Sequence, residues 1–297
     1  MIIGTRGSEL ARKQSEIVSK KLREKNPDIS IDIKIIKTEG DVNMAPIPSD
    51  VMGKGWFTKE IEKELLAGTI DIAVHSLKDL PEELPPGLSI GAYPEREDAR
   101  DVLVSKNSIH FKDLKSGAVI GTDSPRRTVQ LKAMRSDIGV KSIRGNVPTR
   151  IEKMDKGEYD AVVLAAAGLN RLQLEHRITE YFDGDVMTPA PGQGILAVEY
   201  RTNDEKTGKI VASIMDTTAE HAARAERAFS SKIGGGCKQP VGAYMTIEGD
   251  TFTLKAVIAF EDSSKVIRDS VSGPIEKSIE LSIDLAQKML QELGSKK

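Results

Sequence analysis

The chain has 297 residues, enough for two or three domains that each bury a core. Charged residues make up 30% and the net charge is −2, which gives no support for a general nucleic-acid or membrane-surface role. No apolar run is long enough to cross a bilayer, and the strand-like start at Met1 leaves no room for an export signal. The single cysteine, Cys237, excludes an internal disulfide and indicates a reducing cytoplasm. Any anion binding must therefore come from local clusters of arginine and lysine.

The first third of the chain alternates between strand-like and helix-like patterns. Ser8 and Thr58 are predicted to cap two helices. Prolines and glycines between residues 38 and 56 predict a long loop, which is typical of a lid or a binding loop. Strands are predicted at 31–36, 70–74 and 88–92 and, at the start of the chain, at 2–4.

The strand at 70–74 is the most informative of these elements. It is followed directly by His75, Ser76, Lys78 and Asp79. Ligands bind at the carboxyl ends of strands in open α/β sheets, so these side chains are expected at a binding site. The alternative is an ordinary strand-to-loop junction with solvated charges.

A second strand–helix series follows, with strands predicted at 118–121, 142–143 and 160–164. Ser124 is a predicted N-cap, which places Arg126 and Arg127 in the first turn of the next helix. Cations in that turn oppose the helix dipole unless an anion compensates them. A bound anion is therefore expected there.

Four more arginines recur near strand ends and helix starts, namely Arg6, Arg144, Arg150 and Arg171. Solvated surface arginines are the default interpretation of any one of them. Six at corresponding positions favour a polyanionic ligand. Guanidinium groups suit carboxylates and phosphates equally, so the residues leave the identity of the anion open.

The last part of the chain reads as a separate α+β module. A turn-rich crossing at 189–194 and a strand at 195–200 precede it. Its predicted elements are a helix at 218–232, antiparallel strands at 241–247, 252–260 and 265–271, and a helix at 276–293.

Cys237 follows three glycines and precedes Lys238, which favours an exposed thiolate, although a lone cysteine is often a small buried apolar residue. His75 could pair with Cys237 as in a cysteine hydrolase, but the four histidines are scattered and no hydrolase signature is present. No cluster of histidine, cysteine and carboxylates has metal-ligand spacing, so no metal is predicted.

Nine short segments, taken together and in order, resemble the porphobilinogen deaminase family. The match includes the arginine turn, the segment ending in Asp79 and the glycines before Cys237, and it spans nearly the whole chain. The segments are 5–8, 53–57, 73–79, 95–98, 121–127, 144–147, 167–169, 191–194 and 235–237.

The resemblance implies an α/β fold with two domains like those of type II periplasmic binding proteins. Each would contain a mixed, mostly parallel sheet, with the site in the cleft between them, and a smaller α+β C-terminal domain with a three-stranded antiparallel sheet would carry the cysteine. The expected boundaries are 1–94 plus 195–212 for the first domain, 99–189 for the second and 217–297 for the third.

The resemblance also implies a transferase of haem-type tetrapyrrole biosynthesis. Its cofactor would be a dipyrromethane, attached through a thioether to Cys237. Four porphobilinogen molecules would be deaminated, joined head to tail and released by hydrolysis as hydroxymethylbilane. The expected partner is this small-molecule substrate alone, with no nucleic acid or membrane, and the enzyme is expected to be a monomer.

By the same resemblance, Asp79 is the catalytic carboxylate, and the acetate and propionate arms of the pyrroles are what the arginines hold. Expected cofactor-binding residues besides Cys237 are Ser76, Lys78, Thr122, Ser124, Arg126, Arg127, Arg144 and Gly145. Expected substrate-binding residues are Arg6, Ser8, Gln14, Lys54, Phe57, Arg150, Arg171 and Gln193.

Three positions depart from the family pattern. Asp50 stands where many members have lysine, Asp123 replaces a serine in the arginine turn, and Trp56 replaces a smaller apolar residue. Asp123 would either repel an anion or hold an arginine. The alternative function is a non-catalytic two-lobed binding module for a small carboxylated ligand, against which the third module with Cys237 argues.

Overall fold

A computed structural model describes residues 1–38, 58–234, 240–260 and 265–294. The predicted loop residues Asp50, Lys54, Trp56 and Phe57, and also Cys237, lie outside these ranges.

The described part of the chain alternates strands with helices. Its strands are β1 Ile2–Arg6, β2 Asp32–Ile36, β3 Ile72–Ser76, β4 Leu88–Ala92, β5 Asp101–Ser105, β6 Val119–Gly121, β7 Gly139–Lys141, β8 Ala161–Ala165, β9 Glu180–Tyr181, β10 Leu196–Arg201, β11 Val241–Glu248, β12 Thr251–Ala259 and β13 Val266–Pro274. Its α-helices are α1 Glu9–Lys25, α2 Lys59–Leu66, α3 Pro125–Met134, α4 Val147–Asp155, α5 Ala166–Arg171, α6 Glu205–Ala212, α7 Thr217–Ile233 and α8 Ser278–Gly294.

The chain divides into two compact units. The first comprises Met1–Glu97 and Gly194–Ala223, and the second comprises Asp98–Gln193 and Arg224–Lys297. The predicted division into three domains stays a prediction.

The first unit is built on a five-stranded sheet in the order β2-β1-β3-β10-β4. β1 is parallel to both β2 and β3, whereas β10 is antiparallel to β3 and β4. Four strands therefore run in one direction and β10 runs in the other. Ile3, Val18 and Val198 are fully buried in one apolar cluster of this unit, so the cluster joins α1 to the sheet.

The second unit repeats this arrangement in the order β7-β6-β8-β5-β9. β6 is parallel to β7 and β8, and β5 is antiparallel to β8 and β9. The strands β5 and β8 are buried almost throughout, as expected when both faces of a sheet are covered.

The C-terminal strands form a separate antiparallel sheet in the order β11-β12-β13 within the second unit. Helix α8 contacts β13 and β12, and helix α3 of the same unit also contacts these two strands. The predicted fold class is confirmed: two α/β units with mixed, mostly parallel sheets and a three-stranded antiparallel C-terminal sheet. Within the described ranges, no helix combines the length and apolarity that crossing a membrane requires.

Several predicted strands have other bounds than those observed, and two of them lie beside predicted site residues. β3 extends to Ser76 because β10 pairs with it as far as that residue. The strand predicted at 142–143 lies at Gly139–Lys141 instead. There the carbonyl of Ser142 accepts a hydrogen bond from the Tyr159 hydroxyl at 2.6 Å, and its own hydroxyl donates to Asp123.

The predicted helix caps have different outcomes. Ser8 and Ser124 accept hydrogen bonds from the backbone N–H of Ala11 and Arg127, as a capping side chain does. Thr58 precedes α2 but makes no side-chain capping bond. Its backbone already has helical dihedral angles (φ −118°, ψ −27°), whereas a capping residue normally has an extended backbone.

Candidate active site

The carboxyl edge of the first sheet carries those predicted residues of the first unit that the structure describes. β1 and β3 are parallel neighbours, so Arg6 at the end of β1 and Ser76 at the end of β3 lie at the same edge. Gln14 is buried on α1 and donates from Nε2 to Ser76 Oγ at 2.9 Å. Ser8, which caps the same helix, lies directly after this edge.

Lys78 and Asp79 lie in a single turn of 3₁₀ helix, Leu77–Asp79, immediately after β3. The backbone of this turn is anchored at its start, where Leu77 N–H donates to Ile195 O at 3.0 Å, and the turn is closed by the bond from Leu80 N–H to Leu77 O at 3.1 Å. The side chain of Leu77 is buried, whereas Asp79 is exposed. A carboxylate is thus presented to solvent next to the carboxyl end of β3.

The carboxyl edge of the second sheet carries the arginine turn. β6 ends at Gly121, and the backbone N–H of Thr122 donates to Lys141 O at 3.0 Å, which holds this turn beside the end of β7. The Thr122 hydroxyl accepts from the Ser124 N–H at 3.2 Å. Helix α3 then begins at Pro125, so Arg126 and Arg127 lie in its first turn, as predicted.

Both of these arginines are buried and share one carboxylate. Arg126 Nη1 is 2.5 Å from Asp101 Oδ2, and Arg127 Nη2 is 2.7 Å from Asp101 Oδ1. Arg127 also donates from Nε to Oδ1 at 3.0 Å and from Nη1 to Val163 O at 2.9 Å. Arg126 Nη1 donates in addition to Thr188 O at 2.8 Å. The fold itself therefore supplies an anion beside the first turn of α3.

The buried charges shift the pKa values of this group. Burial raises the pKa of Asp101, but the guanidinium groups of Arg126 and Arg127 outweigh it and hold that pKa well below its usual range. Burial lowers the pKa of Arg127, with Asp101 opposing the change. Asp101 is thus ionised at neutral pH, and guanidinium groups keep their charge in proteins, so two positive charges face one negative charge.

Gln193 is the third residue that donates a hydrogen bond to the same carboxylate. Its side chain is buried and donates from Nε2 to Asp101 Oδ1 at 3.0 Å and to Ala99 O at 2.7 Å. Within this unit Gln193 supports the arginine turn, and its predicted contact with substrate stays a prediction.

Arg144, Gly145 and Arg150 lie between β7 and α4. Gly145 has a φ of +114°, and a Cβ there would come within 2.7 Å of Thr149 Cγ2, so glycine is required at this position. Arg150 Nε donates to the Gly145 carbonyl at 2.7 Å. Burial lowers the pKa of Arg150; Asp123 opposes this effect and Arg144 adds to it. Asp123 thus favours the charged arginine.

Arg171 differs from the predicted pattern. It is the last residue of α5, not a residue of the first turn, so it lies about 9 Å along the helix from the end of β8. Six arginines at equivalent positions are therefore not observed, although the part that Arg171 takes in binding stays a prediction.

The arginine turn fits a carboxylate-bearing group such as a dipyrromethane. Asp101 neutralises only one of the two guanidinium groups, which leaves one net positive charge in a buried place. Buried Arg126 Nε has no hydrogen-bond partner among the described residues. Buried donors are almost always paired, so this one indicates an acceptor beyond the residues that the structure describes, and a ligand carboxylate would supply it.

Sequence reasoning missed Asp101 and Glu199. Glu199 is fully buried on β10, and its Oε2 lies within hydrogen-bond distance of His75 Nε2, at 3.1 Å. His75 is thus buried and engaged with Glu199 within the first unit. The available signal was an acidic residue at the start of an apolar strand for Asp101 and within one for Glu199.

Comparison with known proteins agrees with this geometry. The sequence model described as "Porphobilinogen deaminase, dipyromethane cofactor binding domain" matches residues 1–209, and that described as "Porphobilinogen deaminase, C-terminal domain" matches residues 221–291. Among curated relatives, the porphobilinogen deaminase of Thermus thermophilus is 44% identical over 295 residues, covering 99% of this chain and 96% of the relative. That of Syntrophus aciditrophicus is 42% identical over 294 residues, with the same coverage.

Solved structures that are similar include a YaeC-family lipoprotein from Enterococcus faecalis, with a TM-score of 0.45 and 15% identity, covering 76% of this chain and 96% of that one. A periplasmic domain of BvgS from Bordetella pertussis has a TM-score of 0.41 and 14% identity, covering 72% of this chain and 82% of that one. With family models spanning most of its length and relatives above 40% identity, the chain belongs to the porphobilinogen deaminase family of transferases.

Proposed function

We propose that this protein is the hydroxymethylbilane synthase of a tetrapyrrole pathway and that Asp79, Cys237 and the arginine turn carry its reaction. The observation that supports the proposal most is the buried group of Asp101, Arg126 and Arg127, with its excess positive charge. Porphobilinogen bears an acetate and a propionate arm, so a growing chain of such rings is a polycarboxylate. Charge-assisted bonds from guanidinium groups are the strongest that such arms can make.

Asp79 acts on the substrate rings. Loss of ammonia from porphobilinogen leaves an electrophilic carbon, and the coupling of two rings places positive charge on pyrrole nitrogens. A carboxylate within hydrogen-bond reach of those N–H groups stabilises the charge and takes up or returns the proton. The exposed position of Asp79 on an anchored turn supports this role.

The residues that the family resemblance implies would hold the dipyrromethane. When bound, the dipyrromethane supplies the pyrrole carbon to which the first substrate ring is joined. Cys237 tethers it through a thioether; it is the single cysteine of the sequence. The residues proposed to orient its carboxylates are Ser76, Lys78, Thr122, Ser124, Arg126, Arg127, Arg144 and Gly145.

The remaining predicted residues are proposed to hold substrate arms: Arg6, Ser8, Gln14, Lys54, Phe57, Arg150, Arg171 and Gln193. We further propose a monomer in the cytoplasm with three domains, bounded as the sequence predicts. Porphobilinogen is the small-molecule partner that the family implies.

The proposal is tested by incubating the purified protein with porphobilinogen. We expect release of one ammonia per porphobilinogen consumed and a linear tetrapyrrole as the product, both measured over time. Porphobilinogen that is bound but recovered unchanged would identify a binding module instead.

A further inference from the structure

Asp101 is the shared partner of the two arginines, although it comes 25 residues before the first of them. It is the first residue of β5, which runs opposite to β8, and Asp101 pairs with Ala165 at the end of β8. This antiparallel placement brings an acid to the edge at which the parallel strands end. Sequence spacing alone gives no sign of it.

The geometry fixes the orientation of both guanidinium groups. One carboxylate oxygen receives Nε and Nη2 of Arg127 at 3.0 and 2.7 Å, and the other receives Nη1 of Arg126 at 2.5 Å. Backbone carbonyls of Val163 and Thr188 accept the remaining short bonds. Without Asp101, the two buried guanidinium groups would repel each other, and no solvent would stabilise either charge. We would then expect their side chains to turn outward to water.

The charge count predicts what the group binds. The carboxylate of Asp101 leaves one positive charge over, and neighbouring Arg150 disfavours the charged form of Arg127 rather than relieving it. Arg126 Nε is buried and has no partner among the described residues. A single carboxylate arm balances the charge and supplies an acceptor.

We propose that Asp101 is a positioning residue for cofactor acquisition: it orients Arg126 and Arg127 before any ligand arrives and leaves them matched to one carboxylate arm of a pyrrole. This inference rests on the proposed function, since the arm belongs to the family's cofactor. Asp101 acts through the arginines and takes no part in proton transfer.

The test compares cofactor loading of full-length variants produced without pyrrole precursors. Porphobilinogen is added, and the mass gain of two pyrrole units is followed by intact-protein mass spectrometry. Asp101→Asn keeps the shape but removes the charge, and we expect loading on the order of 10- to 100-fold slower, with a higher half-saturating porphobilinogen concentration. Asp101→Glu keeps the negative charge but moves the carboxylate by one methylene group. We expect its loading rate to lie between those of wild type and Asp101→Asn.

Glu199→Gln is the matched control, because Glu199 is another fully buried acid with a side-chain partner, His75, and it belongs to the other unit. It should lower the melting temperature yet load at the wild-type rate. A folded Asp101→Asn variant that loads as fast as wild type would overturn the inference. So would the failure of both Asp101 variants to fold while Glu199→Gln folds, since Asp101 would then serve the core alone. A wild-type chain that gains no mass would instead overturn the proposed function itself.

Discussion

Asp79 combines an exposed carboxylate with the backbone of a hydrogen-bonded turn that is anchored at Leu77. Replacing it by asparagine removes the charge and the proton-accepting oxygen but no buried contact. We expect Asp79→Asn to lower kcat by about 10²- to 10⁴-fold. Its free energy of unfolding should stay within about 0.5 kcal/mol of wild type. Steady-state kinetics and urea denaturation measure the two quantities.

Glu83→Gln is the control for this substitution, because Glu83 is another exposed acid on the following loop. It should leave both kcat and stability unchanged. Near-normal turnover of Asp79→Asn would remove this carboxylate from its proposed role, whatever the control does.

The arginine turn shows how far single residues can be predicted. Ser124, Pro125 and the two arginines form a contiguous pattern, so their local geometry follows from capping rules and is observed. Their partner Asp101 comes from a distant strand, and its position depends on the antiparallel pairing of β5 with β8. The sequence therefore predicted the need for an anion but not that part of it is provided internally.

Helix α2 carries two glutamates whose pKa values shift in opposite directions. Burial raises the pKa of Glu62, and Glu199 raises it further, while His75 and Lys59 oppose the change. Glu62 therefore favours folding below its unfolded pKa, and this contribution is lost as pH rises through the folded pKa. We expect the free energy of unfolding of Glu62→Gln to increase relative to that of wild type as pH rises, so that the difference is larger at pH 8 than at pH 5. Urea denaturation midpoints measure this difference.

Glu64 provides the comparison on the same helix. Hydrogen bonds from Lys34 and Thr69 lower its pKa, so its contribution is present above the unfolded pKa and is lost as pH falls. Glu64→Gln should thus lose stability near neutral pH but not in acid. The loss should be small, because the Glu64 side chain is partly exposed. A Glu62→Gln variant with the same pH dependence as wild type would contradict the pKa assignment.

At the level of elements, the predicted helix ends were mostly confirmed, because capping depends on local sequence; Thr58 is the exception. Ser8 caps α1 and glycine follows α2, as the rules for helix ends indicate. β7 lay three residues before its predicted place because side chains of Asp123 and Tyr159 bind Ser142 and end the pairing there. Such tertiary contacts have no signature in the local sequence.

In the molecule as a whole, the C-terminal sheet packs closely against the segment that follows β9. Ala243 N–H donates to Pro189 O at 3.0 Å. A Cβ on Gly242 would lie 2.8 Å from Thr188 O and 2.7 Å from a Val257 methyl carbon. Because a backbone oxygen cannot move aside easily, Gly242→Ala should destabilise the protein by about 1–3 kcal/mol.

Gly139→Ala is the control, since an added Cβ there meets its nearest atom at 3.4 Å. Differential scanning calorimetry of both variants checks the prediction. Equal melting temperatures would show that the close approach of β11 to this segment does not exist in solution.

The alternation of strands and helices was sufficient to predict two α/β sheets and a C-terminal antiparallel one. It could not predict that β10 inserts between β3 and β4, since strand order depends on long-range pairing. Nor does it assign the C-terminal sheet to the unit that also contains α3.

The most direct test of the account is the intact mass of the protein purified from cells that make porphobilinogen. We predict a mass above that of the sequence by two pyrrole units, retained on denaturation and absent from Cys237→Ser. An unmodified wild-type chain that still converts porphobilinogen to a tetrapyrrole, or the same added mass on Cys237→Ser, would contradict the covalent cofactor.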